Sequence, residues 1–306
     1  MTPERLDLPE RIAFIGFGEA AAAFVQGWDS VADVTVAAFD IKTDVAETRA
    51  GKFNDYQRHG VIGSQTAGDA VALADVIISA VTAEAAAVAA DAAAPEMRPG
   101  TLYLDINSAA PSRKREAAEI IAAAGGDYVD VAVMAPVHPA LHQTPLLISG
   151  PGVTRAEDLL RRLDMRFETV SDKVGDASTI KMVRSVMIKG IEALVSESIV
   201  AAVKEGIDER ILKSLDQTYP GMDWTRRASY MLERMIRHGG RRAEEMREVA
   251  KTMEELGIGG AMAAAAAERQ QRVADLGLLD SFNGQPPEDH RILARAILDA
   301  EKENGT

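Results

Sequence analysis

The sequence predicts an α/β chain: a doubly wound parallel sheet in the first half and an all-helical second half. Three observations carry this. Short apolar runs alternate with helical patterns from Arg11 onward, the βα rhythm of an open parallel sheet. A glycine-rich turn, Gly16-Phe17-Gly18, directly follows the first of those runs. From about Gly175 the strand pattern stops and helical periodicity continues to the end. At roughly 100–200 residues per domain, 306 residues make two. The break is placed at residue 172, with a sheet domain over 1–172 and a helical domain over 173–306.

The elements follow in order. Arg11–Ile15 reads as a buried strand and Glu19–Trp28 as a helix. Val34–Phe39 is a second strand. Val76–Val81 is a third, leading into an alanine-rich helix that ends near Ala94. Thr101–Asp105 is again a strand, with a helix from about Ser112 to Ala124. Tyr128–Val133 and Leu146–Ser149 complete the strand candidates. Ile180–Glu205 is a long helical pattern, and helices fill the remainder, Ala261–Ala267 included, since alanine is the best helix former.

Composition narrows the function classes. Apolar residues at 47% and charged residues at 26% are the balance of a folded globular protein. Asp plus Glu outnumber Lys plus Arg by 47 to 34, and a net charge of -13 repels a phosphate backbone. No basic run longer than pairs such as Arg241-Arg242 offsets it, so no nucleic-acid partner is expected. Cysteine is absent, which removes disulfides, thiol nucleophiles, Fe–S clusters and cysteine-ligated zinc. The five histidines never form H-E-x-x-H, and no metal site is expected. Met1–Glu10 carries charges and two prolines where a secretory signal needs an apolar core. Val71–Pro95 is interrupted by Asp75, Glu84 and Asp91 and does not read as a membrane span. The expectation is a cytoplasmic protein with no membrane partner.

The strongest local signal is Gly16-Phe17-Gly18-Glu19-Ala20-Ala21. Gly16 allows a tight strand-to-helix turn, Gly18 lets the backbone approach a pyrophosphate, and Ala21 is small enough for close helix–strand packing. The helix N-terminus offers unpaired N–H groups and partial positive charge to phosphates. Asp40 closes the second strand about 20 residues later, where a carboxylate accepts from adenosine ribose hydroxyls and repels a 2′-phosphate. That favours NAD. Lys42 is the competing attractor for the NADP phosphate, and a helix cap is the competing role for Asp40. Val81 and Thr82, at the end of the third strand, join the expected cofactor contacts.

Two further motifs carry chemistry. Asp105-Ile106-Asn107-Ser108-Ala109-Ala110-Pro111 leaves a strand at the edge where α/β ligands bind. Its local chemistry alone reads as a helix cap, with Asn107 or Ser108 holding N–H groups and Pro111 starting the helix. Lys181, Ser185 and Lys189 are spaced by four along one side of a mostly apolar helix that Gly175 precedes, with Glu192 near the same stripe. Two roles are open for these lysines. They snorkel to solvent or pair with Glu192 or Glu197, or one faces a ligand with a lowered pKa and exchanges protons.

On these three motifs, in this order, the whole chain resembles the β-hydroxyacid dehydrogenase family, which includes 3-hydroxyisobutyrate and 6-phosphogluconate dehydrogenases. Ala193-Leu194, Glu197 and Gly206-Ile207-Asp208 are similar to that family's central helix. The resemblance implies a Rossmann domain that binds NAD, with NADP as the alternative, a helical domain that forms a homodimer, and an active site between them. Lys181 falls on the family's catalytic lysine. Asn107 and Ser108 fall on the loop that passes the nicotinamide and the substrate.

Departures from the family pattern bear on the substrate. Ser185 stands where the family usually has asparagine, with Arg184 before it. Met134-Ala135-Pro136, followed by Val137 and His138, replaces the Ser-Gly-Gly segment for the substrate carboxylate. Glu244-Glu245-Met246, after Arg241-Arg242, replaces a Lys-Asp-Leu pattern. The chain is similar to a phosphogluconate-dehydrogenase-like branch with a divergent helical domain. The implied reaction moves a hydride between nicotinamide and the hydroxyl-bearing carbon of a β-hydroxyacid-type anion, either phosphorylated or bulky. Lys181 would be the general acid/base, with Ser185 and Ser108 orienting the substrate and Arg184, Lys189, Arg241 and His138 as anion contacts. The alternatives are a carbonyl or imine reductase of the same fold, and a dinucleotide-binding protein without turnover. His142 reads equally as a ligand or a loop cap, and Met182 and Met187 read as packing residues.

Overall fold

Parallel strands buried on both faces need apolar side chains in both directions, and β1 (Arg11–Ile15) has them. Ile12 and Phe14 enter one apolar cluster with Phe17, Phe24, Trp28 and Leu159. Ala13 and Ile15 enter the opposite one with Ile77, Ala90, Tyr103 and Ile121, as the two-residue period of a strand requires. The computed structural model describes residues 11–28 and 34–303, so the reading of Met1–Glu10 lies outside the described residues.

The chain then alternates: α1 (Glu19–Trp28), β2 (Thr35–Phe39), α2 (Ala46–Arg58), β3 (Ile62–Gly63), α3 (Ala67–Val71) and β4 (Val76–Ser79). It continues through α4 (Ala86–Ala93), β5 (Leu102–Asp105), α5 (Pro111–Ala123), β6 (Asp127–Val133), β7 (Leu146–Ser149), α6 (Val153–Arg162) and β8 (Phe167–Ser171). The eight strands lie in the order β3-β2-β1-β4-β5-β6-β7-β8, all neighbours parallel except β6 and β7. Strand order runs outward from β1 to β3 on one side and resumes at β4 on the other. That reversal opens a crevice above the carboxyl ends of β1 and β4, where α/β sheets bind ligands. The doubly wound sheet and the helical second half are as the sequence predicts. The sequence reading did not foresee α2, α3, α6, β3 or β8.

The helices that follow are α7 (Asp176–Glu205), α8 (Asp208–Thr218), α9 (Trp224–Glu255), α10 (Ala261–Asp275), α11 (Leu278–Ser281) and α12 (His290–Glu303). The chain divides into two compact units, 1–181 and 182–306, so the break falls inside α7 rather than at residue 172 ahead of it. The helix also starts a turn earlier than its apolar pattern, because Asp176–Thr179 is a polar first turn. In the second unit Val195, Ile199, Leu232, Met235, Val273, Leu293 and Ile297 form the main core. A second cluster packs Ala263, Ala266 and Ala267 of α10 on Met246 and Ala250 of α9. Small side chains let these two backbones come close: a Cβ at Gly239 would stand 2.7 Å from the Gln270 carbonyl oxygen. Among the described residues no helix is long and apolar enough to cross a membrane.

Candidate functional site

The turn after β1 brings backbone, not side chain, to the crevice. Gly16 adopts φ +83° and donates its N–H to the Phe39 carbonyl at 2.8 Å. A Cβ there would press into the Ala80 carbonyl oxygen, so only glycine meets both demands. Gly18 differs, since a Cβ at that position would meet nothing within 4 Å. Open space therefore lies over the loop at the N-terminus of α1, and a pyrophosphate fits there against N–H groups that the helix itself leaves unpaired. Glu19 is exposed in that first turn and Ala20 is half-buried.

Phe17 anchors the turn from below. It is 1% exposed, with its ring edge-on to Phe14, Tyr56 and His59. Its N–H donates to Asp40 Oδ2 at 2.9 Å, and its carbonyl accepts from Lys52 Nζ at 2.7 Å. Lys52 is itself buried and pairs with Asp55 at 3.1 Å. Sequence reasoning missed Lys52 and Tyr56. The signal that was there is their spacing of four on α2, one helical turn.

Asp40 also accepts from the Lys42 N–H at 3.0 Å and so caps the 3-10 turn Ile41–Thr43. The cap left open by the sequence is thus present. A carboxylate has about four acceptor positions, and these two bonds leave capacity for ribose hydroxyls. The Lys42 side chain is exposed.

At the ends of β4 and β5 the Asn107 side chain is 3% exposed and bonded at both ends of its amide. Its Oδ1 accepts from the Val81 N–H at 2.6 Å, and its Nδ2 donates to Ser79 Oγ at 3.0 Å. Neither Asn107 nor Ser108 caps α5, whose N-cap is Ala110 with Pro111 following, so the cap reading of this motif is corrected. Asn107 instead ties one strand end to the next, beside Gly16, which itself packs on Val81. Thr82 is exposed at the head of the 3-10 turn Ala83–Ala85. Ser108 is half-buried, and its Oγ accepts from Lys181 Nζ at 2.6 Å. The structure thereby joins two of the three predicted catalytic residues.

The second unit holds the other candidates. Ser185 is buried and Arg184 exposed. Lys189 Nζ lies 2.6 Å from Glu245 Oε2, and Arg241 Nη1 lies 2.6 Å from Glu245 Oε1. One carboxylate thus serves both cations, the two residues that the sequence offers as anion contacts. The partner of Lys189 is Glu245, not Glu192 or Glu197. Glu192 instead accepts from Arg242 and, at 3.3 Å, from Gln270.

In the segment after β6, Met134 is half-buried while Ala135, Pro136 and His138 are exposed. The His142 ring fills the space where a side chain at Gly27 of α1 would stand, and its Nε2 lies 3.9 Å from Asp164 Oδ2. Met182 is buried as expected of a packing residue, but Met187 is exposed.

The family model for the NAD binding domain of 6-phosphogluconate dehydrogenase matches residues 11–172. A domain of unknown function, DUF1932, matches 202–273. A conserved hypothetical protein from Sinorhizobium meliloti 1021 is 35% identical, with 95% of this chain and 96% of that chain covered and a TM-score of 0.74. An uncharacterised 28.5 kDa protein in the 7S RNA 5′ region of Methanothermus fervidus is 27% identical over 245 residues, 79% of this chain and 90% of that one. Mycobacterium tuberculosis 3-hydroxyisobutyrate dehydrogenase with L-serine is 19% identical, covering 96% of this chain and 99% of that chain, with a TM-score of 0.70. At that identity the likeness is one of fold.

Proposed function

Because the chain belongs to the family of the NAD binding domain of 6-phosphogluconate dehydrogenase, we propose that it is a nicotinamide-dinucleotide-dependent oxidoreductase acting on a β-hydroxyacid-type anion. The observation that carries this reading is the 2.6 Å bond from Lys181 Nζ to Ser108 Oγ. It sets an amine beside a hydroxyl on the loop that leaves β5, at the strand ends where ligands of such sheets bind.

The roles follow from the placement. The Gly16–Gly18 turn and the first N–H groups of α1 would hold the pyrophosphate, and Asp40 the adenosine ribose, which favours NAD over NADP. When bound, the dinucleotide supplies the hydride acceptor or donor. Lys181, with Nζ neutral, takes the proton from the substrate hydroxyl, and in the reverse direction its ammonium returns it. Ser108, within hydrogen-bond reach of Nζ, orients that hydroxyl.

The test is absorbance at 340 nm with NAD or NADP and a panel of 3-hydroxy acids, carbon chain and phosphorylation varied. General acid–base groups contribute roughly 10²–10⁴-fold, so Lys181→Met is expected to lower turnover by about that factor. Its NADH affinity is expected to stay at the wild-type value, since the dinucleotide contacts lie around Gly16, Gly18 and Asp40. Near-normal turnover in Lys181→Met would falsify the acid–base assignment.

A further inference from the structure

A row of buried polar residues crosses the sheet beside the site. Strand register sets Ser79, Asp105, Asp130 and Ser149 side by side on β4, β5, β6 and β7. Each is 0% exposed, as is Lys114 of α5. Lys114 Nζ lies 2.8 Å from Asp105 Oδ1 and 3.3 Å from Asp130 Oδ1, and also donates to the Asp105 carbonyl at 2.7 Å. Asp105 accepts further from the Tyr128 hydroxyl at 2.7 Å and the Asn107 N–H at 2.9 Å. Burial, then the nearby Asp105 and Asp130, hold the Tyr128 phenol well above its ordinary pKa, so it stays a donor.

Asp105 and Asp130 share the one Lys114 amine, which leaves buried carboxyl oxygens of Asp130 still to be satisfied. The N-terminus of α7 satisfies them. Asp130 Oδ2 accepts from the Ser178 N–H at 2.9 Å and Oδ1 from the Ser178 hydroxyl at 2.6 Å. Ser149 Oγ accepts from the Ala177 N–H at 3.0 Å. First-turn N–H groups have no partner within their helix and carry partial positive charge, so Asp130 answers both needs at once.

Lys181 lies one turn beyond Ser178, and Ser108 stands just past Asn107, which is bonded to Asp105. Both halves of the Lys181–Ser108 pair therefore run back to the same buried row. We propose that Asp130 is a positioning residue: by capping the first turn of α7 against the Asp105–Lys114 pair, it sets the height at which Lys181 meets Ser108. An α-helix advances about 1.5 Å per residue, so a slip of one residue at its start would carry Nζ out of hydrogen-bond range. The proposal gives Lys181 its place, and it rests on the acid–base reading above only for the purpose of that place.

The test reads the lysine itself, with or without turnover. The full-length protein is treated with limiting acetic anhydride, and acetylation at Lys181 is followed by peptide mass spectrometry. Ser108→Ala removes the acceptor and is expected to raise the rate several-fold. Asp130→Asn keeps an acceptor oxygen but loses the charge, and is expected to raise it by a similar factor. The double variant adds little to either, because both release one and the same bond. Ser178→Ala loses only the hydroxyl bond to Asp130, so a smaller rise is expected, and this variant carries the test if Asp130→Asn does not fold. A merely structural Asp130 would lower Tm and leave acetylation of Lys181 at the wild-type rate. That unchanged rate in the folded variants, or additive effects in the double variant, overturns the proposal. Turnover of Lys181→Met judges the acid–base reading separately and does not alter the labelling result.

Discussion

A methyl group added at Gly16 would press into the Ala80 carbonyl and would have to accept a φ of +83°, whereas at Gly18 it would enter open space. The two glycines of one turn thus answer to different demands, folding for the first and, on the proposed function, ligand approach for the second. Gly16→Ala is expected to cost about 1–3 kcal/mol from the backbone strain alone, read as a lowered Tm. Gly18→Ala is expected to keep Tm and weaken NADH binding by on the order of tenfold, about 1.4 kcal/mol. A Gly18→Ala protein that binds NADH normally would remove the pyrophosphate from this loop. Asp40 combines both demands, since it braces the Phe17 N–H while facing the proposed ribose. The wild type is expected to bind NADH more tightly than NADPH, and Asp40→Ala to weaken NADH and narrow the gap. Fluorescence titration checks this, and tighter NADPH binding in the wild type would point to Lys42 instead.

Two helices of the second unit are joined by charge as well as by apolar packing. Glu192 of α7 holds Arg242 of α9 in a buried pair, and Lys189 of α7 holds Glu245 of α9. These pairs leave α9 rich in arginine around His238. Burial, then the charges of Arg234 and Arg241, push the His238 imidazole down from 6.5 to about 4, against a smaller opposing pull from Glu233. The sign of the pH effect follows. Between about 6.5 and about 4 the unfolded chain takes up a proton that the folded chain does not, so stability falls as pH falls through that window. The ring keeps part of its surface in solvent, so screening makes the slope shallower than the full shift would give. His238→Gln is expected to flatten the dependence of Tm on pH across this range, and ring-proton NMR of the wild type to show a midpoint near 4. A midpoint near 6.5 would mean that neither burial nor the arginine charges bear on the ring.

α7 leaves Val183, Met187 and Leu194 exposed to solvent. Their spacing sets them on one face of the helix, and an apolar stripe of this kind favours association over exposure. Our reading is that a second copy of the chain covers it. Light scattering at micromolar concentration is expected to give twice the chain mass, and Leu194→Glu to shift the protein to the monomer. A monomeric wild type would leave the stripe without that explanation.

Structure that short stretches of the chain encode was readable without the fold. The β1 strand, the Gly16–Gly18 turn and α1 were legible to the residue, because strand period, glycine and helix start are written within one short stretch. The same holds for β7 and for the presence of a long helix carrying Lys181. Which groups face one another came only with the folded chain. Lys114 sits in the run Ser112-Arg113-Lys114-Arg115-Glu116, which reads as a solvated helix face, yet it has no exposed surface. Asp130 had a signal, an acid between two valines of β6, but its partner Ser178 is 48 residues away. Lys189 was given the wrong carboxylate because its stripe on α7 pointed to Glu192, while the fold brought Glu245 from α9. Periodicity tells which face of an element is buried. It does not carry the register and topology that select, for a charge in the interior, the distant group that will satisfy it.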